Sequence, residues 1–238
     1  MRTTITTRYL IAFTALFLVL HELHEQAHTS VGRLLCGCWG PRGFNVWHLC
    51  ETCSMNGAYP LALMAGPLFS YALAWTGYYL MGQADRQRKA LGFSLVFGSV
   101  MQARLLTAVM GGGDEVTLFR LITDQPVLGR WLGLTVTVLL AAPPLWRAFR
   151  QLPRPKQVVY WLGFAFVPLI VEAVVVFKGL DGLLQQGIGA EPGLLGMPML
   201  VTVWTGLMAL ILIPTHRWLL SLFVSVETPH LKQLNEVR

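Results

Sequence analysis

Residues 9–28 read YLIAFTALFLVL followed by HELHEQAH, and the join between these two pieces governs both the fold and the chemistry. Tyr9 to Leu20 is an apolar run of 12 residues without the every-second-residue alternation of a barrel strand, so it belongs to a helix. His21 to His28 is helix-forming sequence that continues the run to about Ser30, and a helix over 9–30 is long enough to cross a bilayer core of about 30 Å. The same run after a basic start also fits the core of a signal peptide, but no small-x-small cleavage site follows it.

Working outward, the whole 238-residue chain is 54% hydrophobic and only 13% charged, which is too apolar for a single soluble domain. Its 18 Lys and Arg against 12 Asp and Glu form no single basic patch, which excludes a disordered or nucleic-acid-binding protein. Further apolar stretches near 60–81, 90–110, 127–146, 157–177 and 195–213 bring the expected spans to about six. Backbone groups in lipid have to pair within their own segment, so the expectation is an all-α polytopic bundle in contact with membrane lipids. One integral membrane domain is expected, with residues 1–126 forming a core of three spans and 127–238 adding three spans and a short tail. Gly179 to Gly196 reads as a flexible loop. With the N-terminus in the cytoplasm, Arg2, Arg8, Arg86, Arg88, Lys89, Arg147, Arg150, Arg154, Lys156, Arg217, Lys232 and Arg238 fall inside, against five basic residues outside. The positive-inside rule therefore predicts cytoplasmic termini.

Within the quoted stretch, His24-Glu25-Gln26-Ala27-His28 has the H-E-x-x-H spacing. Two imidazoles one helical turn apart share a face and can bind one zinc ion, while the adjacent glutamate serves as general base. The plainer alternative is a polar helix end lying at the membrane surface. His21 shares the face of His24 and His28 and is a candidate ligand or supporting donor. A catalytic zinc commonly takes three protein ligands. Asp114, after three glycines at the end of the third span, is the best third candidate, because the first and third spans run the same way and bring it to the same membrane face. Its alternative role is the N-cap of a helix starting at Glu115, which is itself the fallback ligand. Arg104 and Glu172, ionisable residues inside spans at similar depth, are expected either to pair with each other or to stand beside the site. Ala65-Gly66-Pro67 marks a kink or a close helix contact.

All four cysteines, Cys36, Cys38, Cys50 and Cys53, lie between the first two spans. Two disulfides, a structural metal site and free thiols remain open from spacing alone. The aromatic and polar residues Trp39, Phe44, Asn45, Trp47 and His48 suit a loop that dips into the interface.

Over roughly residues 18 to 120 the chain resembles the site-2 protease family of intramembrane zinc metalloproteases. His24-Glu25-Gln26-Ala27-His28, Ala65-Gly66-Pro67 and Asp114 carry the resemblance, although Asp114 stands in Gly-Gly-Gly-Asp-Glu rather than the Asp-Gly usual there. The resemblance implies zinc held by His24, His28 and Asp114, Glu25 as the residue that activates water, and a transmembrane protein substrate cut at a peptide bond. It also implies a site toward the cytoplasmic side, whereas the charge count puts this one toward the opposite face. The competing expectations are a non-catalytic metal-binding membrane protein, such as a transporter or sensor, and a scaffold derived from the protease fold.

Overall fold

The computed structural model describes residues 2–53 and 55–224. Lys232 and Arg238 of the charge count, with the rest of the C-terminal tail, lie outside the described residues. A two-residue strand β1 (Arg2–Thr3) leads into α1 (Thr7–Cys36), and α2 (Met55–Leu80), α3 (Arg86–Gly98), α4 (Met101–Val109), α5 (Asp114–Thr123) and α6 (Pro126–Gln151) follow. Then come α7 (Gln157–Glu172), a π-helical stretch over Ala173–Leu180, the short α8 (Asp181–Gln185) and α9 (Met199–Thr215), and β2 (Phe223–Val224) closes antiparallel on β1.

The fold is helical, as the apolar runs predict. Among the described residues Arg86–Val109, Pro126–Gln151, Arg154–Gln185 and Met199–Ser221 are long and apolar enough to cross a membrane, which marks a membrane protein. These are four helices rather than six. The first two expected spans are the 30-residue α1 and the 26-residue α2, of spanning length but outside that set; in α1 the run from His21 to His28 dilutes the apolar character.

α1 is the central element and packs against α2, α3 and α9. Thr6 starts it, its hydroxyl accepting from Tyr9 N at 3.1 Å, and Gly37 ends it in a left-handed conformation (φ 78°) while donating to Arg33 O. The N-terminal half of α1 builds the aromatic core. Tyr9 and Phe13 meet Phe164 of α7 edge-on, Phe164 also touches Phe93 and Phe97 of α3, and these rings are almost completely buried. The Tyr9 hydroxyl is satisfied by Ser94 Oγ at 2.9 Å.

Two features differ from the sequence expectation, and a third decides between its alternatives. The third span is broken into α3 and α4 at Ser99–Val100, where Val100 takes a positive φ of 56°. α2 runs unbroken through Pro67, so Ala65-Gly66-Pro67 marks a close contact and not an interruption. The Gly179–Gly196 connection continues as helix to Gln185 and then folds back on itself, with Met199 N donating to Glu191 O and Leu200 N to Gly189 O. It is tied to the rest of the bundle by Gln26 Nε2, which donates to Leu195 O at 3.2 Å, and by Gly196, where any Cβ would fall 2.7 Å from the Trp39 ring.

Candidate metal centre

The C-terminal half of α1 is as buried as its apolar half although it is polar. His21, Glu22, His24, Glu25, Gln26 and His28 are each at most 9% exposed. Burying so many polar groups is tolerable only if each is answered by a partner, and the partners come from the rest of the fold.

α2 orients the two histidines. His28 Nδ1 lies 2.7 Å from the backbone oxygen of Ala62, an acceptor, so Nδ1 carries the hydrogen and donates it. His24 Nδ1 lies 2.9 Å from Ser70 Oγ. Both rings therefore turn Nε2 inward, and the two Nε2 atoms stand 3.2 Å apart. Midway between Ala62 and Ser70 on the same helix face is Gly66. A Cβ there would lie 2.2 Å from His28 Nε2 and 2.7 Å from His24 Nε2, so only glycine leaves room for the rings. Trp47, from the loop after α1, stacks on His28 with ring centroids 4.7 Å apart.

Asp114 reaches the same point from the other side. Gly111 and Gly113 (φ 85° and 87°) turn the chain sharply between α4 and α5, and Asp114 opens α5 with its Oδ2 3.5 Å from both His24 Nε2 and His28 Nε2. Gly113 is the N-cap and makes no side-chain cap bond, so Asp114 is not used as a cap. Three donor atoms thus form a triangle with edges of 3.2, 3.5 and 3.5 Å. Glu25 sits beside it: His24, Glu25 and His28 each offer a ligand atom within 4.8 Å of the others, a cluster that could hold a metal ion. Glu25 Oε2 is buried and has no hydrogen-bond partner among the described residues.

The supporting residues are arranged differently from the expectation. Arg104 does not pair with Glu172. It is held by Glu115, with Nε donating to Oε1 at 2.9 Å and NH2 to Oε2 at 2.6 Å, because the glycine turn folds α5 back alongside α4. Glu115 is engaged by Arg104 and by the Tyr71 hydroxyl, and it is Asp114 that reaches the two histidines. Glu172 instead lies 2.8 Å from His21 Nδ1, and His21 Nε2 lies 3.7 Å from Glu25 Oε1. His21 thus stands beside Glu25, with its two ring nitrogens turned toward Glu172 and Glu25.

The four cysteines form two disulfides, Cys36–Cys53 and Cys38–Cys50, which close the loop between α1 and α2. Arg42 of this loop is buried against α1, with NH2 donating to Glu22 Oε2 at 2.6 Å and NH1 to Gln26 Oε1 at 3.0 Å. Glu22 thereby gains a role that its sequence position did not suggest. A cavity of about 410 Å³ opens over the site, lined by His21, His24, Glu25, Asp114 and Arg104 on its polar side and by Leu169 and Phe177 among its apolar walls.

Sequence reasoning missed Ala62, Ser70, Trp47 and Arg42. Ala62, Gly66 and Ser70 recur every four residues on α2, a spacing from which a single face toward the histidines was readable. Arg42 left no signal, since its partner lies 20 residues away on another element. Comparison with family models, with curated proteins and with solved structures finds no match for the chain.

Proposed function

We propose that the chain is an intramembrane zinc metallopeptidase that hydrolyses a peptide bond of a membrane-embedded protein. The observation that carries this reading is the donor triangle. Around a tetrahedral zinc with bonds of about 2.0–2.1 Å, ligand atoms stand about 3.3–3.4 Å from one another, and the edges here are 3.2, 3.5 and 3.5 Å. Two imidazoles and one carboxylate are a donor set suited to zinc. The anchoring of His24 and His28 through their far nitrogens is the outer-shell support that such ligands use. The unpartnered Oε2 of Glu25 matches a group waiting for a proton donor.

Bound by His24, His28 and Asp114, zinc would supply Lewis acidity toward a carbonyl group and toward water. Glu25 takes a proton from water as its oxygen attacks the scissile carbonyl carbon, then returns that proton to the amine nitrogen as the carbon–nitrogen bond breaks. His21, positioned by Glu172, lies beside the other Glu25 oxygen and orients the carboxylate. The polar cavity admits water at this point, and its apolar walls receive a substrate segment that has locally unwound. In this reading α1 and α2 also span the membrane, giving six spans with cytoplasmic termini. The disulfide-closed loop then lies on the opposite, oxidising side, as disulfides favour.

The test is metal content by mass spectrometry and cleavage of a reporter transmembrane peptide, on full chain purified in detergent. Wild type and Glu25→Gln are expected to carry about one zinc per chain. Cleavage by Glu25→Gln should fall by about 10³-fold or more. His24→Ala with His28→Ala should lose both metal and cleavage. Folded protein without histidine-dependent metal overturns the reading, and unchanged turnover by Glu25→Gln removes Glu25 as the base.

One observation favours a second reading, a non-catalytic scaffold: the Arg104 guanidinium already contacts His24 and Asp114 and supplies a positive charge to the cluster. That reading predicts no bound metal. A transporter or sensor would instead bind metal and tolerate Glu25→Gln.

A further inference from the structure

We propose that Arg104 and a divalent cation compete for the same ligand atoms, so that Arg104 sets how tightly the centre holds its metal. This rests on the metal-centre reading above. Arg104 NH1 lies 3.2 Å from His24 Nε2, and NH2 lies 3.1 Å from Asp114 Oδ2. A guanidinium has donors and no acceptor, so NH1 donates into the lone pair of His24 Nε2. An imidazole nitrogen has one such lone pair, and the pair that accepts from NH1 cannot at the same moment bind a metal.

Arg104 is fixed in this posture. It is 7% exposed, and its Nε and NH2 hold both oxygens of Glu115. The Tyr71 hydroxyl donates to the same carboxylate, and the Tyr71 ring lies 5.7 Å from the guanidinium carbon. Anchored from behind, the guanidinium bridges α1 to α5 and keeps two corners of the triangle together. An incoming ion has to take the His24 lone pair from NH1 and draws on the Asp114 oxygen that NH2 holds, while Glu115 keeps the guanidinium charge nearby. A cation that bonds imidazole strongly, as zinc does, can make that exchange. Magnesium and calcium, which prefer oxygen ligands, gain little from His24 and are excluded.

The test is an equilibrium competition for zinc between a chromophoric chelator and the full-length chain in detergent, at fixed pH and salt. Arg104→Gln removes the competing charge but leaves Glu115 buried without its partner. Arg104→Gln with Glu115→Gln removes both charges and keeps a foldable site if the single variant fails. The zinc dissociation constant is expected to fall about tenfold or more in the single variant, and by less, in the same direction, in the double. If wild type binds zinc and the folded variants bind it no tighter, the competitor role is overturned and the metal centre stands. If neither wild type nor the folded variants bind zinc, the metal-centre reading falls and this inference with it.

Discussion

The two halves of α1 are equally buried and are specified in different ways. From Tyr9 to Leu20 the helix offers apolar and aromatic side chains, and Phe93, Phe97 and Phe164 meet them by shape, with the Tyr9 hydroxyl bonded to Ser94. From His21 to His28 it offers six polar side chains, and most are met by particular atoms: Ser70 and the Ala62 carbonyl on α2, Arg42 on the disulfide-closed loop, Glu172 on α7, Asp114 and Arg104 beyond, while Glu25 keeps Oε2 without a partner among the described residues. The apolar half tolerates any partner of suitable volume. The polar half is built against named donors and acceptors, so its residues fail one contact at a time.

The sharpest way to separate the halves is Gly66→Ala. The added methyl would collide with both histidine Nε2 atoms, so zinc affinity is expected to fall by about 100-fold or more. The thermal midpoint in detergent should change far less. Equal loss of both would show that the polar half also carries the fold.

Phe164→Ala is the reverse experiment. It is expected to cost about 3–5 kcal/mol in unfolding free energy while zinc per folded chain stays at wild-type level. A drop in zinc content of the folded fraction would join the halves into one unit.

Arg42→Met tests whether the loop belongs to the polar half. It leaves the Glu22 carboxylate buried and unpaired, at a cost of about 3 kcal/mol, and adding Glu22→Gln should recover most of it. Denaturant unfolding of the single and double variants measures the recovery. If the double variant is no more stable than the single one, the pair is not what holds the loop.

The same contrast explains what the sequence could tell. Apolar runs are local, so α1, α6, α7 and α9 were legible as helices, and two histidines four residues apart were legible as neighbours on one helix face. Asp114 was reachable because direction of travel through the bundle is also a simple rule. Arg104 was noticed but matched with Glu172 on depth alone, because only the Gly111 and Gly113 turn, with its positive φ values, shows that α5 folds back to deliver Glu115. The Ala62 oxygen is a backbone atom and has no signature in residue type. The break at Val100 was also unreadable, since a β-branched residue with positive φ follows from tertiary constraint and not from local preference.

The π-helical stretch after α7 carries a consequence for chain length. Glu172 and Phe177 both touch His21, the first at 2.8 Å and the second edge-on with centroids 5.9 Å apart, although five residues separate them. In an α-helix five residues turn the side chain to about 140° from its starting direction. Bonding from i to i+5 winds the chain more slowly and brings the two closer to one face. Wound as an ordinary α-helix, this segment would need one residue fewer between Glu172 and Phe177 to keep both on His21, so winding and residue number are matched here. Rewinding the stretch as α-helix without losing a residue would swing either the carboxylate or the ring off His21, whereas surface loops absorb such changes freely.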